Sequence, residues 1–282
     1  MGNKKTGGAK IKRNKGRSKG RKTGTNRKKS IMIKVEWIKY IKVAILCLAV
    51  LSLIYVGRIG INVLKMPDPP KDKVAYPVRG VDVSVYQGDI DWNLLYKQGI
   101  SFAYIKASEG RSHVDKKFMT NWKNSKKAGI VRGAYHFMSF DVDGNLQADN
   151  FKEQIDSTKD TRKMMPPVID VELYGKYVNN PPSSNTFHNT LGRMIASIKK
   201  HYGVKPVIYT TRHIYSNYIE KNYDCEIWIA DPSLGAKLPS GKDWLFCQYS
   251  ISGKLQGFKG ISQHIDLDVF NGTKLQFVRR FK

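Results

Sequence analysis

Residues 165–174 read MPPVIDVELY, an apolar run that carries two acids, Asp170 and Glu172, spaced two apart. In an extended strand that spacing puts both carboxyls on one face and Ile169 and Val171 on the other. Carboxylates in an apolar strand are costly to desolvate, so their presence asks for a reason. Two adjacent acids suit acid–base chemistry, because burial and like charge raise the pKa of one while its neighbour stays ionised. Glycoside cleavage uses that arrangement: a proton donor near neutral pH works beside a carboxylate that stabilises developing positive charge. Asp82 in VRGVDVS (78–84) and Asp266 in IDLDVF (265–270) are further acids in similar strand-like settings. Clustered carboxylates also attract magnesium or calcium, which keeps a metal-dependent phosphatase or nuclease as a competing class. No calcium-loop or phosphate-loop motif occurs, and no Cys/His spacing resembles a zinc site, so neither a metal nor a cofactor is expected.

The elements that must position these acids are short and regular. Eight β-rich runs occur in order, at 78–84, 102–108, 131–138, 166–172, 205–210, 226–231, 244–250 and 265–270. Between the first six lie segments able to form helices, at 91–98, 116–128, 145–157, 184–202 and 211–221. The clearest is 184–202, where Leu191, Met194, Ile195 and Ile198 recur at helical spacing and Gly203 marks a stop. After the sixth run the connections are short, rich in Gly and Pro, and without helical period. Strand–helix alternation predicts parallel strands, and eight of them predict a closed TIM-like α/β barrel, here lacking its last three helices. An open doubly wound sheet is the alternative, but no glycine fingerprint follows the first strand.

In such a barrel, chemistry gathers at the C-terminal ends of the strands. Asp82 and Ser84 finish the first run, Lys106 and Glu109 the second, Tyr135 and His136 the third, and Asp170 and Glu172 the fourth. Tyr209 ends the fifth, Asp231 the sixth and Gln248 the seventh, whereas Asp266 begins the eighth. Asp82, Asp170, Glu172 and Asp266 are thus expected to meet in one cleft, with His136 as a polar substrate contact. Tyr86, Tyr174, Trp228 and Tyr249 are candidate flat platforms for sugar rings.

The rest of the chain has a different character. Residues 1–42 hold sixteen Lys/Arg against one acid, Glu36, within a net charge of +26 for all 282 residues. Almost nothing in the first thirty residues is apolar, which reads as a disordered tail and by itself would fit nucleic-acid binding. An uncharged run, Val43–Gly57, follows, and apolar character resumes after Arg58 to Leu64. With a leader this long and no small-residue cleavage site, 43–64 is expected to be an uncleaved transmembrane signal anchor. The positive-inside rule then puts the tail in the cytoplasm, 65–77 in an extended linker, and the domain 78–282 on the cell-wall side. No specific nucleic-acid partner is expected. Cys225 and Cys247 lie on candidate neighbouring strands, so a disulfide fits an oxidising compartment, though their separation is left open.

The segments RGVDVSVYQGDIDW (79–92), FAYIKASEG (102–110), FMTNWKNSKKAGIVRGAYHF (118–137), PPVIDVE (166–172), QYS (248–250) and IDLDVFNG (265–272) occur in order. Together they resemble glycoside hydrolase family 25, the N-acetylmuramidase type of lysozyme, across about 78–272. The resemblance implies a barrel of eight strands and five helices. It also implies hydrolysis of the β-1,4 bond between N-acetylmuramic acid and N-acetylglucosamine in peptidoglycan. On the matching positions Glu172 would be the general acid and Asp170 would orient the substrate's 2-acetamido group, with Asp82 and Asp266 supporting the charged cleft. Retention assisted by the acetamido oxygen and inversion by an activated water both remain open. The sequence departs from the family pattern at Cys247, commonly Trp, and at Asp268, often Asn. A wall-binding or scaffold module that keeps the fold without strong catalysis is the alternative function.

Overall fold

The computed structural model describes residues 76–282 apart from 162, 163 and 236. The expected tail, anchor and most of the linker, residues 1–75, lie outside the described residues. Among the described residues no helix is long and apolar enough to cross a membrane.

Eight strands form the barrel: β1 (Arg79–Val83), β2 (Ile100–Glu109), β3 (Val131–Phe137), β4 (Val168–Val171), β5 (Val207–Thr211), β6 (Ile227–Ala230), β7 (Phe246–Gly253) and β8 (Ile265–Phe270). Neighbours pair in sequence order, and β1 closes the ring by pairing with both β2 and β8. Strands β1 to β7 are mutually parallel, and α1 (Trp92–Lys97), α2 (Phe118–Lys127), α3 (Gly144–Ser157) and α4 (Ser184–Tyr202) pack in their crossovers. A fifth crossover holds α5 (Arg212–Ile214), continued by a π turn over Tyr215–Ile219.

The structure departs from an all-parallel barrel at its last strand. β8 runs antiparallel to both β7 and β1. Its connection from β7 contains no helix and is too short to carry the chain back across the barrel for a parallel return. A sixth helix, α6 (Lys274–Phe281), also stands beyond the five expected. Its Phe277 and Phe281 share one face and join Phe102, Phe246 and Phe270 at the N-terminal end of the barrel, closing it.

Strand alternation divides the core in two. Outward residues such as Ile105, Ile169, Ile208 and Ile229 pack against the helices. Inward residues form aromatic layers, with Tyr104 stacked on Trp228 at 4.9 Å between ring centroids. Two glycines make room for these rings: a Cβ on Gly80 or Gly133 would lie 2.3 Å from Phe102 or Tyr104.

Cys225 and Cys247 are free thiols. The parallel register places Cys247 beside Ile229, four residues along β6 from Cys225. At about 3.3 Å per residue that offset is well beyond disulfide reach.

Candidate active site

Above the aromatic layers the inward positions turn polar. A cleft of about 320 Å³ opens at the C-terminal ends of β1 to β7, lined by Asp82, Asp170, Glu172 and Asp266 together with Ser84, Lys106, Tyr135, Tyr209, Trp228 and Gln248. Asp266 arrives there because β8 is reversed: its N-terminal end lies at the rim, with Asp266 paired opposite Asp82.

Gln248 ties the floor together. Its Nε2 donates to Asp82 Oδ2 at 2.9 Å and, more weakly, to Asp266 Oδ2 at 3.4 Å, while its Oε1 accepts from the Tyr209 hydroxyl at 2.9 Å. Beyond β1, Ser84 caps a 3-10 turn (Val85–Gln87) by accepting from the Tyr86 amide, and Asp115 holds the turn through the Val85 amide at 2.7 Å. That turn presents Tyr86, 58% exposed, as a flat wall of the cleft.

So many carboxyls beside one lysine cannot all be ionised at little cost. Burial pushes Asp170 well above the usual carboxylate range, and the charges of Glu172 and Asp82 add to this. Glu172 is also raised by burial, while Asp170, Tyr209 and Lys106 pull it back. The pair therefore keeps a proton at pH values where free carboxylates have lost theirs. Asp266 is raised to about 6 by burial and by Glu172. Asp82 is raised by burial and by Asp266, against hydrogen bonds with Gln248 and Asp268. Among the described residues Lys106 is the only Lys or Arg lining the cleft, and Glu109 anchors it at 2.7 Å.

Three anticipated substrate contacts lie elsewhere. His136 is fully buried on the outward face of β3, where Nδ1 meets Ser108 Oγ at 2.8 Å and Nε2 meets Gln147 Oε1 at 3.3 Å. Burial pushes its imidazole down to about 3, so it stays neutral in the fold. Tyr174 packs edge-on against Phe137 outside the cleft lining, and Glu109 serves only through Lys106. Asp231 is held by Arg212, Ser233 and the Gly235 amide. Trp228 is a floor rather than an open platform, and buried Tyr249 does not line the cleft. Gln87, Phe137 and Ile251 line the cleft without having been anticipated. For Phe137 the signal was present, since it shares the inward face of β3 with Tyr135.

Among the described residues no group of three His, Cys, Asp or Glu side chains is arranged to hold a metal ion. The inward carboxyls, the proton they retain and the open cleft above them form a site suited to acid-assisted cleavage of a glycosidic bond. Comparison with known proteins agrees. Residues 81–258 match the model of glycosyl hydrolases family 25. A family 25 glycosyl hydrolase from Bacillus anthracis superposes with a TM-score of 0.68 at 42% identity, covering 73% of this chain and 94% of that one. A bacterial lysozyme from Streptomyces coelicolor does so with a TM-score of 0.62 at 32% identity, over 72% of this chain and 96% of that one. Lysozyme M1 of Streptomyces globisporus is 33% identical over 210 residues, 70% of this chain and 68% of that protein. The chain belongs to glycosyl hydrolases family 25 and is a glycoside hydrolase of the lysozyme type.

Proposed function

We propose that this protein is a membrane-anchored peptidoglycan hydrolase that cleaves the β-1,4 bond between N-acetylmuramic acid and N-acetylglucosamine, with Glu172 as general acid. The observation that carries the reading is the pairing of Asp170 and Glu172 at the inward end of β4, in the same cleft as Asp82 and Asp266. In the free enzyme the proton of the pair lies toward Asp170. When the acetamido N–H engages Asp170 and favours its ionised form, the proton moves to Glu172, which passes it to the glycosidic oxygen as the bond from the muramic C1 to that oxygen breaks. The substrate's own acetamido oxygen attacks C1 from the opposite face and gives a cyclic oxazolinium. Asp170 accepts a hydrogen bond from the acetamido N–H and stabilises its positive charge; Asp170 Oδ1, buried without a donor among the described residues, supports that role. Water then attacks C1, Glu172 takes its proton, and the configuration is retained. Asp82 and Asp266 add negative potential where positive charge develops.

In Glu172→Gln the side chain keeps its size and loses the proton. The full chain carrying it should release muropeptides at least ~100-fold more slowly than wild type. Wild-type-like release by the variant would remove Glu172 from this role.

The anchor rests on the uncharged run Val43–Gly57 between Lys42 and Arg58, and on the basic residues before it. Protease added outside intact, wall-stripped cells should digest the domain beyond residue 65 and spare the tail. A protected domain would overturn this topology.

A further inference from the structure

Beneath the rim lies a carboxyl that this chemistry does not use. Asp268 sits on β8 two residues beyond Asp266, on the same inward side, and is completely buried. Its Oδ1 accepts the indole Nε1–H of Trp228 at 2.9 Å. Its Oδ2 is buried and meets no N–H or O–H donor among the described residues. In the β1–β8 register Asp268 lies opposite Gly80, which has no side chain. Asp82 stands two residues along β1 on the same inward face, the acid on that side that can share a hydrogen bond with it.

Two carboxylates are both acceptors, so a hydrogen bond between them requires a proton on one. Asp82 Oδ2 already takes the Gln248 N–H at 2.9 Å. We propose that Asp268 is a positioning residue that holds the shared proton on Oδ2 and donates it to Asp82, so that Asp82 presents a fixed carboxylate to the cleft. Its contribution to catalysis rests on the lysozyme reading above; its protonation does not.

The surroundings favour the neutral acid. Among the described residues, the titratable groups around it are Asp82 from β1, Tyr104 from β2, Tyr209 from β5 and Asp266 on its own strand, with Cys247 and Tyr249 on the outer face of β7; none is a cation. Burial and the charges of Asp82 and Asp266 push Asp268 well above the usual carboxylate range, against the pull of the Trp228 N–H. Ionising it would place an uncompensated charge in a dry site beside another acid.

Asp268→Asn tests the assignment, because an amide keeps the acceptor for Trp228 and a permanent donor for Asp82 but cannot titrate. The first readout is thermal unfolding of the full chain from pH 4 to pH 9. In wild type the unfolded Asp268 loses its proton near pH ~4 while the folded one keeps it, so its share of stability declines as pH rises. The Tm of Asp268→Asn minus that of wild type should therefore grow with pH, by several degrees across the range. A flat difference would mean that Asp268 is ionised throughout, and would overturn the proposal. The second readout is kcat/KM on soluble glycan fragments at pH 6. Asp268→Leu should lose about tenfold or more, and Asp268→Asn should restore most of that loss. An Asn variant as impaired as Leu would refute donation to Asp82. Should Leu fail to fold, the comparison of Asn with wild type decides. Should wild type cleave no glycan, the functional reading fails, while the thermal comparison still reports where the proton sits.

Discussion

Replacing Asp266 by Asn should stabilise the fold at alkaline pH while impairing the enzyme. In the fold this carboxyl is raised from 3.8 to about 6 by burial and by Glu172. Below the unfolded value both states bind the proton, and Asp266 costs nothing. Between the two values the unfolded chain releases its proton first, so folding loses stability as pH rises. Above about 6 both states are ionised and the penalty is constant. Two pKa units correspond to about 3 kcal/mol. The group is partly open to water and shares its charge with Glu172, so about half of that is the firmer expectation. For a domain of this size, ~1.5 kcal/mol raises Tm by roughly 3–6 °C. Thermal unfolding of wild type and Asp266→Asn at pH 4 and pH 8 checks the reasoning. The variant should match wild type at the lower pH and melt several degrees higher at the upper one. An equal gain at both values, or a loss at pH 8, would refute the claim that Asp266 is buried against like charge. Muropeptide release should fall in the same variant, because stability is recovered by removing charge that the reaction uses.

Other substitutions probe the remaining parts of the site. Gln248→Leu removes the donor to Asp82 and the acceptor of Tyr209; leaving two buried groups unpaired should cost about 2–5 kcal/mol in urea unfolding and abolish most activity. A stable, fully active Leu variant would contradict the network. His136→Ala opens a cavity and leaves the Ser108 hydroxyl without its partner, while Gln147 keeps its bonds to Ser139 and Val142, so it should cost about 3 kcal/mol. Its kcat/KM per folded molecule should match wild type, since the ring does not face the cleft; a selective loss of kcat would contradict that placement.

Much of this architecture is legible in the sequence, because a barrel imposes simple local patterns. Each of the eight strands falls on an apolar run, and α4 follows the spacing of Leu191, Met194 and Ile198. The approach of the four acids is legible too; Asp266, at the start of its strand, reaches the rim because β8 runs antiparallel to β1. Direction was hidden because strand propensity is the same either way, and a connection without a helix does not decide it: β6 and β7 are joined without one and are parallel. Tyr135 and Phe137 share one face in GAYHF, so His136 must take the other. The roles of Trp228 and Asp268 were not legible, since an aromatic or an acid on the inward face can sit at the rim or below it. Depth within the barrel depends on strand stagger, which residue type does not reveal. The closing helix was hidden for a related reason: two phenylalanines four apart in a short basic segment become a face only when the barrel end offers a place for them.

Product analysis of purified peptidoglycan digested by the full chain tests the bond cleaved and the proton donor most directly. Borohydride reduction of the products, followed by mass spectrometry, identifies the sugar at each new reducing end. Reduced N-acetylmuramic acid from wild type, absent with Glu172→Gln, is the predicted result. Reduced N-acetylglucosamine ends, or the same products from the Gln variant at the wild-type rate, would contradict it.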